Sequence, residues 1–200
     1  MQPIHFDIVD STNEEAKRQL RAGKVHEPCY ILAREQTAGR GSRGRSWCSP
    51  RDAGIYLSVV DICPGALQFD VTDLTRAAGV AGADALRCAG ISVTVKAPND
   101  LMVADAKLGG ILVETVAAAG KKWAIVTGIG VNIADCPREL GRDQSSVAAI
   151  ESLLSAESFR QLDVEHLVAN LVVEIRRRNR EVLSGEADVV QSAWNAMLAS

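Results

Sequence analysis

The chain has 200 residues, of which 47% are hydrophobic and 24% charged, and its formal net charge is −3. This length suits one domain, and this composition is typical of a globular protein in water. The small negative charge argues against binding of long polyanions, so a local arginine cluster is expected to bind a small anion. Since no signal-peptide pattern and no run of 18 apolar residues occurs, we expect a cytoplasmic protein without a membrane anchor.

The cysteines and histidines give no sign of a metal or disulfide scaffold. Five cysteines, an odd number, include no CxxC pair, and the three histidines show no metal-ligand spacing. We therefore predict reduced thiols and no metal site. Cys48 could act as a nucleophile, but no His or Lys flanks it closely, and a small filler residue is the simpler interpretation.

The first third of the chain predicts a strand at 4–9, a helix at 14–22 and a strand at 29–36. Residues 10–13 offer several N-cap side chains, and Gly23 can end the helix. A helix N-terminus that follows a strand is also a ready hydrogen-bonding site for a polar ligand group.

The middle of the chain predicts mainly strands. We expect strands at 54–62, 91–95, 101–103, 107–116 and 123–133, and one buried, alanine-rich helix at 70–88. Pro64-Gly65 breaks the first of these strands, and Gly120 marks a hairpin. Gly109-Gly110 inside a strand predicts a bulge or a close approach of backbone to ligand.

The last third predicts a polar loop at 134–143 and helices at 145–155, 163–183 and 187–199. Arg176, Arg177 and Arg178 could bind nucleic acid, but on a long helix they are better interpreted as a solvent-exposed face. Strands followed by helices predict an α+β fold with a mixed or antiparallel central sheet. We expect one catalytic domain over 1–200, with its core at 1–135 and a helical part at 145–199.

Residues 37–50, here called the glycine loop, are the most informative stretch. Three glycines alternate with three arginines, and Trp47 follows them. Glycine allows backbone N–H groups to turn toward a ligand, and arginine supplies permanent charge and planar donors. A flexible basic surface loop is the alternative interpretation of such a stretch taken alone.

Two further polar clusters favour a functional interpretation of the glycine loop. They are 96–100, which reads KAPND, and 128–132, which reads GIGVN. If the three clusters converge, they provide anion-binding amides, cations and an amide side chain that can recognise a nucleobase. Formation of an acyl-adenylate from a carboxylic acid and ATP uses all of these. Neither a Walker A motif nor a strand–GxGxxG–helix pattern occurs, so P-loop and Rossmann folds are excluded by pattern.

The sequence resembles the catalytic domain of biotin protein ligases, which share a fold with lipoate ligases and octanoyl transferases. The resemblance covers residues 1 to about 135, in the family's order and spacing. Its motifs are STN at 11–13, EQTAGRGSRGRSWCSP at 35–50, KAPNDL at 96–101, KLGGILVE at 107–114 and GIGVNI at 128–133.

The resemblance implies a class II synthetase-like domain with an assigned set of site residues. The catalytic residues would be Lys96 and Arg40. The implied biotin-binding set is Ser11, Thr12, Asn13, Gln36, Gly39, Arg40, Gly41, Lys96, Gly109, Gly110 and Ile111. The implied nucleotide-binding set is Ser42, Arg43, Arg45, Trp47, Asn99 and Asn132. No residue is assigned to a metal.

The chain departs from the family pattern in three ways. The family usually has a basic residue where Ser42 stands, and an aromatic residue where Ala97 stands. We also expect neither the N-terminal helix-turn-helix nor the C-terminal β-barrel domain that other members carry, and therefore no DNA binding.

The resemblance implies an ATP-dependent biotin–protein ligase. Such an enzyme uses ATP with Mg²⁺ to form biotinyl-5′-AMP and transfers biotin to a lysine of a biotin carboxyl carrier protein. A lipoate or octanoate ligase or transferase of the same fold remains an alternative, as does a degenerate module that binds biotin or an adenylate without transfer. Biotin, ATP and the carrier domain are the expected partners, and a homodimer stays open.

Overall fold

The computed structural model describes residues 1–63, 69–118, 122–135 and 146–198. Within them, seven strands and six helices form the regular structure. The strands are β1 (Gln2–Phe6), β2 (Cys29–Ala33), β3 (Gly54–Cys63), β4 (Thr94–Lys96), β5 (Asp100–Val103), β6 (Ala106–Ala118) and β7 (Lys122–Asn132). The helices are α1 (Thr12–Arg21), α2 (Val71–Cys88), α3 (Ile150–Leu153), α4 (Ala156–Arg160), α5 (Val164–Leu183) and α6 (Ala187–Ala196).

The strands form one mixed sheet in the order β1-β2-β3-β7-β6-β5-β4. β1 pairs with β2 in parallel, and every other neighbouring pair is antiparallel. β4, β5, β6 and β7 follow one another along the sequence with at most three residues between strands, which suits antiparallel pairing, whereas the β1–β2 crossover carries α1, as parallel pairing requires. The predicted α+β fold with a mixed central sheet is confirmed.

Helices cover the two faces of the sheet unequally. The main core lies between one face and helices α2, α5 and α6, while α1 packs on the opposite face over a smaller cluster around Leu20 and Ile31. Glycines let α2 approach its neighbours: a Cβ on Gly79 would lie 2.3 Å from the Trp194 ring of α6. The α1 face is therefore the less covered side of the sheet, and the glycine loop reaches over it.

Most predicted elements are confirmed, with shifted ends. The first strand ends at Phe6 rather than residue 9, and β4 is only Thr94–Lys96 rather than 91–95. α1 begins at Thr12, after the N-cap Ser11, and Gly23 has the left-handed φ of 64° expected of a helix stop. The bulge predicted near Gly109-Gly110 lies in the β5–β6 pair, where the register shifts between Leu101 and Met102.

The predicted helix at 145–155 is wrong. Residues 146–149 are extended, because Lys107 of β6 pairs with Val147 and binds the backbone of Ser146 and Ala148. Only Ile150–Leu153 is helical there, and the short α4 was not predicted. A backbone that already hydrogen-bonds a strand cannot also make helical bonds.

The arginine cluster on α5 is not a free solvent-exposed face. Arg178 is only 12% exposed at its side chain and pairs with Asp84 of α2. Arg176 donates from Nε to Asp61 of β3 at 3.1 Å. The solvent-exposed interpretation is therefore wrong for Arg176 and Arg178, because both join α5 to the structures beneath it.

In the described part of the chain, no helix is long and apolar enough to cross a membrane. The predicted break at Pro64-Gly65 and hairpin at Gly120 lie outside the described residues, as do most of the predicted loop at 134–143 and the end of the last predicted helix.

Candidate active site

The glycine loop forms a compact hairpin between β2 and β3. The Gly41 N–H donates to the Arg45 carbonyl at 2.7 Å, and the Trp47 N–H donates to the Gly39 carbonyl at 2.8 Å. Its tip is a 3₁₀ turn at Ser42–Gly44. Only glycine fits at position 39, because a Cβ there would lie 2.3 Å from the Trp47 carbonyl oxygen.

Trp47 lies on a bare patch of the sheet, which we call the glycine floor: Gly110 of β6 and Gly128 and Gly130 of β7. A Cβ on Gly130 would lie 2.5 Å from the Trp47 Nε1 atom, and one on Gly110 would lie 3.2 Å from the ring. Among the described residues no acceptor binds the buried indole N–H. This donor is therefore available to a ligand that enters the same space.

Lys107 and Asp100 flank the indole. The Lys107 Nζ atom lies 5.4 Å from the ring centroid and 2.5 Å from Oδ1 of Asp100. A cation this close to the face of an indole is attracted by the ring quadrupole. The contacts show that Lys107, Asp100 and Trp47 share the α1 face of the sheet.

Strand register brings Lys96 onto this same face. Lys96 pairs with Asp100, Asp100 with Gly110, and Gly110 with Gly130. Directly paired residues of antiparallel strands point to the same side, and Lys96 stands two strand spacings, about 10 Å, from Gly110. Its exposed side chain makes no hydrogen bond or ion pair within the described ranges, so its ammonium can reach a ligand on the glycine floor.

A second polar cluster, here called the head-group cluster, lies where α1 begins: Thr12, Asn13, Gln36 and Ser58. The Thr12 N–H donates to Gln36 Oε1 at 2.9 Å. Ser58 Oγ lies 2.8 Å from Thr12 Oγ1 and 2.6 Å from Asn13 Oδ1. All but Gln36 are buried, and a Cβ on Gly128 would touch the Asn13 amide. The cluster thus adjoins the glycine floor. Ser11, the N-cap, is buried beside it.

The glycine loop's arginines have different partners. Arg40 pairs with Glu14 of α1 at 2.7 Å. Arg45 reaches back along the loop, so that its Nη2 lies 3.3 Å from Ser42 Oγ. Arg43 is exposed at the tip, with a left-handed φ of 57°. The loop therefore carries cations on both its α1 side and its outer side.

Four predicted site residues have their contacts away from the glycine floor. A Cβ on Gly109 would meet Leu101, and Ile111 packs in the main core, because alternate strand residues face opposite sides. The Asn132 amide donates to the Ala148 carbonyl at 3.0 Å, which fixes the extended segment at 146–149. Asn99 donates to the Ile111 carbonyl at 2.6 Å, and its Oδ1 lies 3.4 Å from Ser42 Oγ. Their ligand roles stay predictions.

Sequence reasoning missed several residues that the structure places in the site. Ser58 and Ser49 hold the head-group cluster, since Gln36 Nε2 donates to Ser49 Oγ at 2.7 Å. Gly128 and Gly130 were noted as a cluster without a role. Because side chains alternate along a strand, the sequence of β3 could have indicated that Tyr56 and Ser58 lie on the same face of the sheet. Only the strand register, however, shows that Ser58 pairs with Gly128.

The thiols and acidic residues give no further chemistry. Cys29 and Cys63 are buried free thiols, and Cys48 and Cys88 are exposed free thiols. Burial raises the pKa of Cys29 to about 11, which keeps it protonated. The described residues contain no group of three or more His, Cys, Asp or Glu that could hold a metal ion. Cys136 lies outside the described residues.

A mixed sheet with a glycine floor under an arginine-rich loop defines a domain suited to a small anionic ligand lying flat on the sheet. The chain belongs to the biotin/lipoate A/B protein ligase family, whose model matches residues 5–132.

Two curated relatives show how far the likeness extends. The bifunctional ligase/repressor BirA of Escherichia coli is 36% identical over 173 residues, which are 84% of this chain and 50% of that protein. The biotin–[acetyl-CoA-carboxylase] ligase of Paracoccus denitrificans is 30% identical and is covered to 78%, over 95% of this chain. The chain spans about half the length of the bifunctional relatives it matches.

Solved structures show the same fold. The biotin protein ligase of Aquifex aeolicus, in complex with biotin and ATP, superposes with a TM-score of 0.77 at 22% identity. That match covers 98% of this chain and 78% of the other.

Ligand binding is expected to protect the glycine loop from proteases. Residues 43–46 are exposed, and the loop has few apolar anchors besides Trp47. Trypsin should cut after Arg43 or Arg45 in the free protein at least about tenfold faster than with biotin and ATP present. Cleavage after the exposed Lys24, beyond α1, is the internal control. Equal protection of both sites, or of neither, would contradict a loop that closes over ligand.

A side chain on the glycine floor is expected to displace Trp47. Gly130→Ala places a methyl group 2.5 Å from the indole, whereas Gly110→Ala places one at 3.2 Å, where a small shift is enough. Acrylamide quenching of Trp47, isolated by subtracting a Trp47→Phe background, should therefore rise strongly for Gly130→Ala and little for Gly110→Ala. Equal quenching in both variants would show that the indole does not rest on this patch.

Proposed function

We propose that this site joins biotin to AMP and then passes biotin to a lysine of a biotin carboxyl carrier domain. One observation carries the proposal: strand register aligns Lys96 with the glycine floor, directly beside the arginine-bearing loop. Lysine and arginine beside a glycine-lined surface suit a reaction between a carboxylate and a nucleotide phosphate, because two negatively charged groups must be brought close together.

The proposed reaction has two balanced steps. In the first, a carboxylate oxygen of biotin attacks the α-phosphorus of ATP, the bond to the β-phosphate oxygen breaks, and pyrophosphate leaves with the electron pair. In the second, the neutral ε-amine of a carrier lysine attacks the acyl carbon, and AMP leaves while the amine gives up a proton. Lys96 would stabilise the charge that develops on the phosphate oxygens, which accelerates the first step.

The site residues would form two neighbouring groups, one that binds biotin and one that binds the nucleotide. The head-group cluster and Ser11 would hold the ring of biotin, and Gly110 with the neighbouring backbone of Gly109 and Ile111 would let its chain lie close to the sheet. Gly39, Arg40 and Gly41 would close over the carboxylate. The nucleotide would lie toward Ser42, Arg43, Arg45, Trp47, Asn99 and Asn132. ATP would enter as its Mg²⁺ complex, with phosphate oxygens and water as the ligands that this ion prefers.

The family relationship supports this assignment. The Paracoccus relative is a biotin–[acetyl-CoA-carboxylase] ligase, and the Aquifex structure holds biotin and ATP. We propose that residues 1–200 act as one catalytic domain, because α5 and α6 share a core with the sheet. We also propose that the protein works in the cytoplasm, without DNA, beside its carrier.

A comparison of three carboxylic acids as substrates tests whether biotin or one of the alternatives is the acid that is activated. Pyrophosphate release from ATP is measured with biotin, lipoate and octanoate side by side. We expect release with biotin at least about a hundredfold faster than with the other two, because buried polar groups in the head-group cluster stay unpaired without a ureido partner. Faster release with lipoate or octanoate would reassign the acid, and no release with any acid would leave a binding module.

A further inference from the structure

A chain of charges connects the glycine loop to the head-group cluster through one buried lysine. Lys17 of α1 is 8% exposed, and its ammonium lies 2.7 Å from Glu14 Oε1 and 2.6 Å from Glu114 Oε1. Glu14 Oε1 also binds Arg40 of the loop, at 2.7 Å. The successive ion pairs therefore connect Arg40, Glu14, Lys17 and Glu114 in that order.

Beyond Glu114, this network of charges reaches the side-chain amide of Asn13. Its Nδ2 donates to Glu114 Oε2 at 2.9 Å and to the Leu112 carbonyl at 3.1 Å. With both amide hydrogens directed to these acceptors, Oδ1 must face the other way, toward Ser58 and Gly128. An amide oxygen has two lone pairs, and Ser58 uses one of them. The second can accept from an N–H group of a ligand over the glycine floor.

We propose that Lys17 is a positioning residue that determines specificity for the ligand's head group. By neutralising Glu114 it holds that carboxylate where Asn13 can donate to it, and so fixes the Asn13 oxygen as an acceptor. The ligand favoured by such an acceptor has an N–H donor in its ring, as a cyclic urea does. A dithiolane ring or an alkyl chain offers no such donor.

The electrostatics agree with this geometry. Burial alone lowers the pKa of the Lys17 ammonium, but its hydrogen bonds to Glu114 and Glu14 outweigh burial and raise the pKa above its ordinary value. The hydrogen bond from Lys17 likewise lowers the pKa of Glu14. Lys17 and Glu14 are therefore charged at neutral pH, and removal of Lys17 would take away the cation that lies between Glu14 and Glu114.

The test is a graded series at position 17. Lys17→Met keeps the apolar stem and removes the charge, Lys17→Gln removes the charge but keeps an amide NH₂ donor on a shorter stem, and Lys17→Arg keeps the charge. We expect calorimetric biotin affinity to fall about tenfold for Met and about threefold for Gln, and to stay within about twofold for Arg, as expected for loss of one well-oriented acceptor. Lipoate affinity should not change. The rate of adenylation at saturating biotin should also stay within about twofold, since Lys17 touches no reacting atom.

Arg18→Met is the matched control. Arg18 lies next in the same helix but pairs with Asp10 and Glu15 on the exposed side, so its loss changes the helix charge equally without touching Asn13. Biotin affinity should not change in this variant. Equal weakening in Lys17→Met and Arg18→Met, or equal loss of biotin and lipoate, would overturn the proposal in favour of a general effect on α1.

A spectroscopic readout makes the test independent of catalysis. The identity of the ligand as a cyclic urea rests on the proposed function. The side-chain amide of Asn13, in contrast, can be followed by ¹⁵N NMR in the ligand-free protein. Its NH₂ exchange with solvent should become at least about tenfold faster in Lys17→Met and stay slow in Lys17→Arg and Arg18→Met. An unchanged Asn13 signal overturns the positioning role. If the wild type did not adenylate biotin but the NMR result were as expected, the ligase assignment would be wrong while the role of Lys17 in positioning Asn13 would stand.

Discussion

Lys96→Ala is expected to slow adenylation by ~10²–10³, because the variant lacks the cation that stabilises charge developing on the phosphate oxygens. Strand register places Lys96 on the face of the sheet that carries the glycine floor, and within the described residues its ammonium is in no ion pair. The head-group cluster lies on the other side of the glycine floor. Biotin itself should therefore bind Lys96→Ala within about threefold of wild type.

Two measurements on the same Lys96→Ala protein separate these effects. Single-turnover adenylation gives the chemical step, and calorimetry gives biotin affinity. Lys24→Ala, at an exposed lysine after α1, is the control and should change neither. Adenylation at the normal rate in Lys96→Ala would contradict the catalytic assignment of this residue. Lost biotin affinity with a normal rate would make Lys96 a binding residue only.

Ser42→Arg is expected to lengthen the lifetime of the bound adenylate by ~10–100-fold, the effect of one charge-assisted hydrogen bond of ~1.5–3 kcal/mol. Ser42 lies at the N-terminal side of the loop tip, with its hydroxyl 3.4 Å from Asn99 Oδ1. A guanidinium at this position would face a ligand phosphate from the loop side. The present serine leaves that position without a charge of its own.

Arg45 is the residue that could make this substitution ineffective. Its guanidinium already lies 3.3 Å from the Ser42 hydroxyl. The adenylate's dissociation rate, measured by chasing labelled intermediate with unlabelled ligand, decides the matter. Ser46→Arg adds the same charge at an exposed position of the same loop and serves as the control. An unchanged rate in Ser42→Arg would mean that Arg45 already supplies the cation that position 42 lacks.

The sequence predicted the fold where local signals were strong. α2 was found from its apolar, alanine-rich spacing; the residue predicted to begin it, Asp70, is the N-cap, and its side chain accepts from the Thr72 N–H. The long strands β3, β6 and β7 were found from their β-branched runs. The extended segment at 146–149 was missed because its conformation depends on backbone pairing with Lys107, which is distant in sequence.

The sequence indicated which motifs form the site but not which of their residues face one another across the sheet. Neighbouring glycines in one strand look equivalent in sequence, yet only Gly110 faces Trp47, while Gly109 faces Leu101. Lys17 gave no signal either, since a lysine in a charged helix usually faces water. Its burial follows from the position of Glu114 on β6, and that contact spans 97 residues of sequence.

Direct detection of biotinyl-5′-AMP is the closest test of the whole account. The protein is mixed with biotin and ATP–Mg²⁺ without any carrier, quenched after a few seconds, and its bound ligand is identified by mass spectrometry. We expect about one biotinyl-5′-AMP per wild-type chain, since the intermediate has no acceptor lysine, and no more than a few per cent of that in Lys96→Ala at the same time. Unmodified biotin and ATP in the wild-type sample, with both ligands bound, would contradict the proposed chemistry.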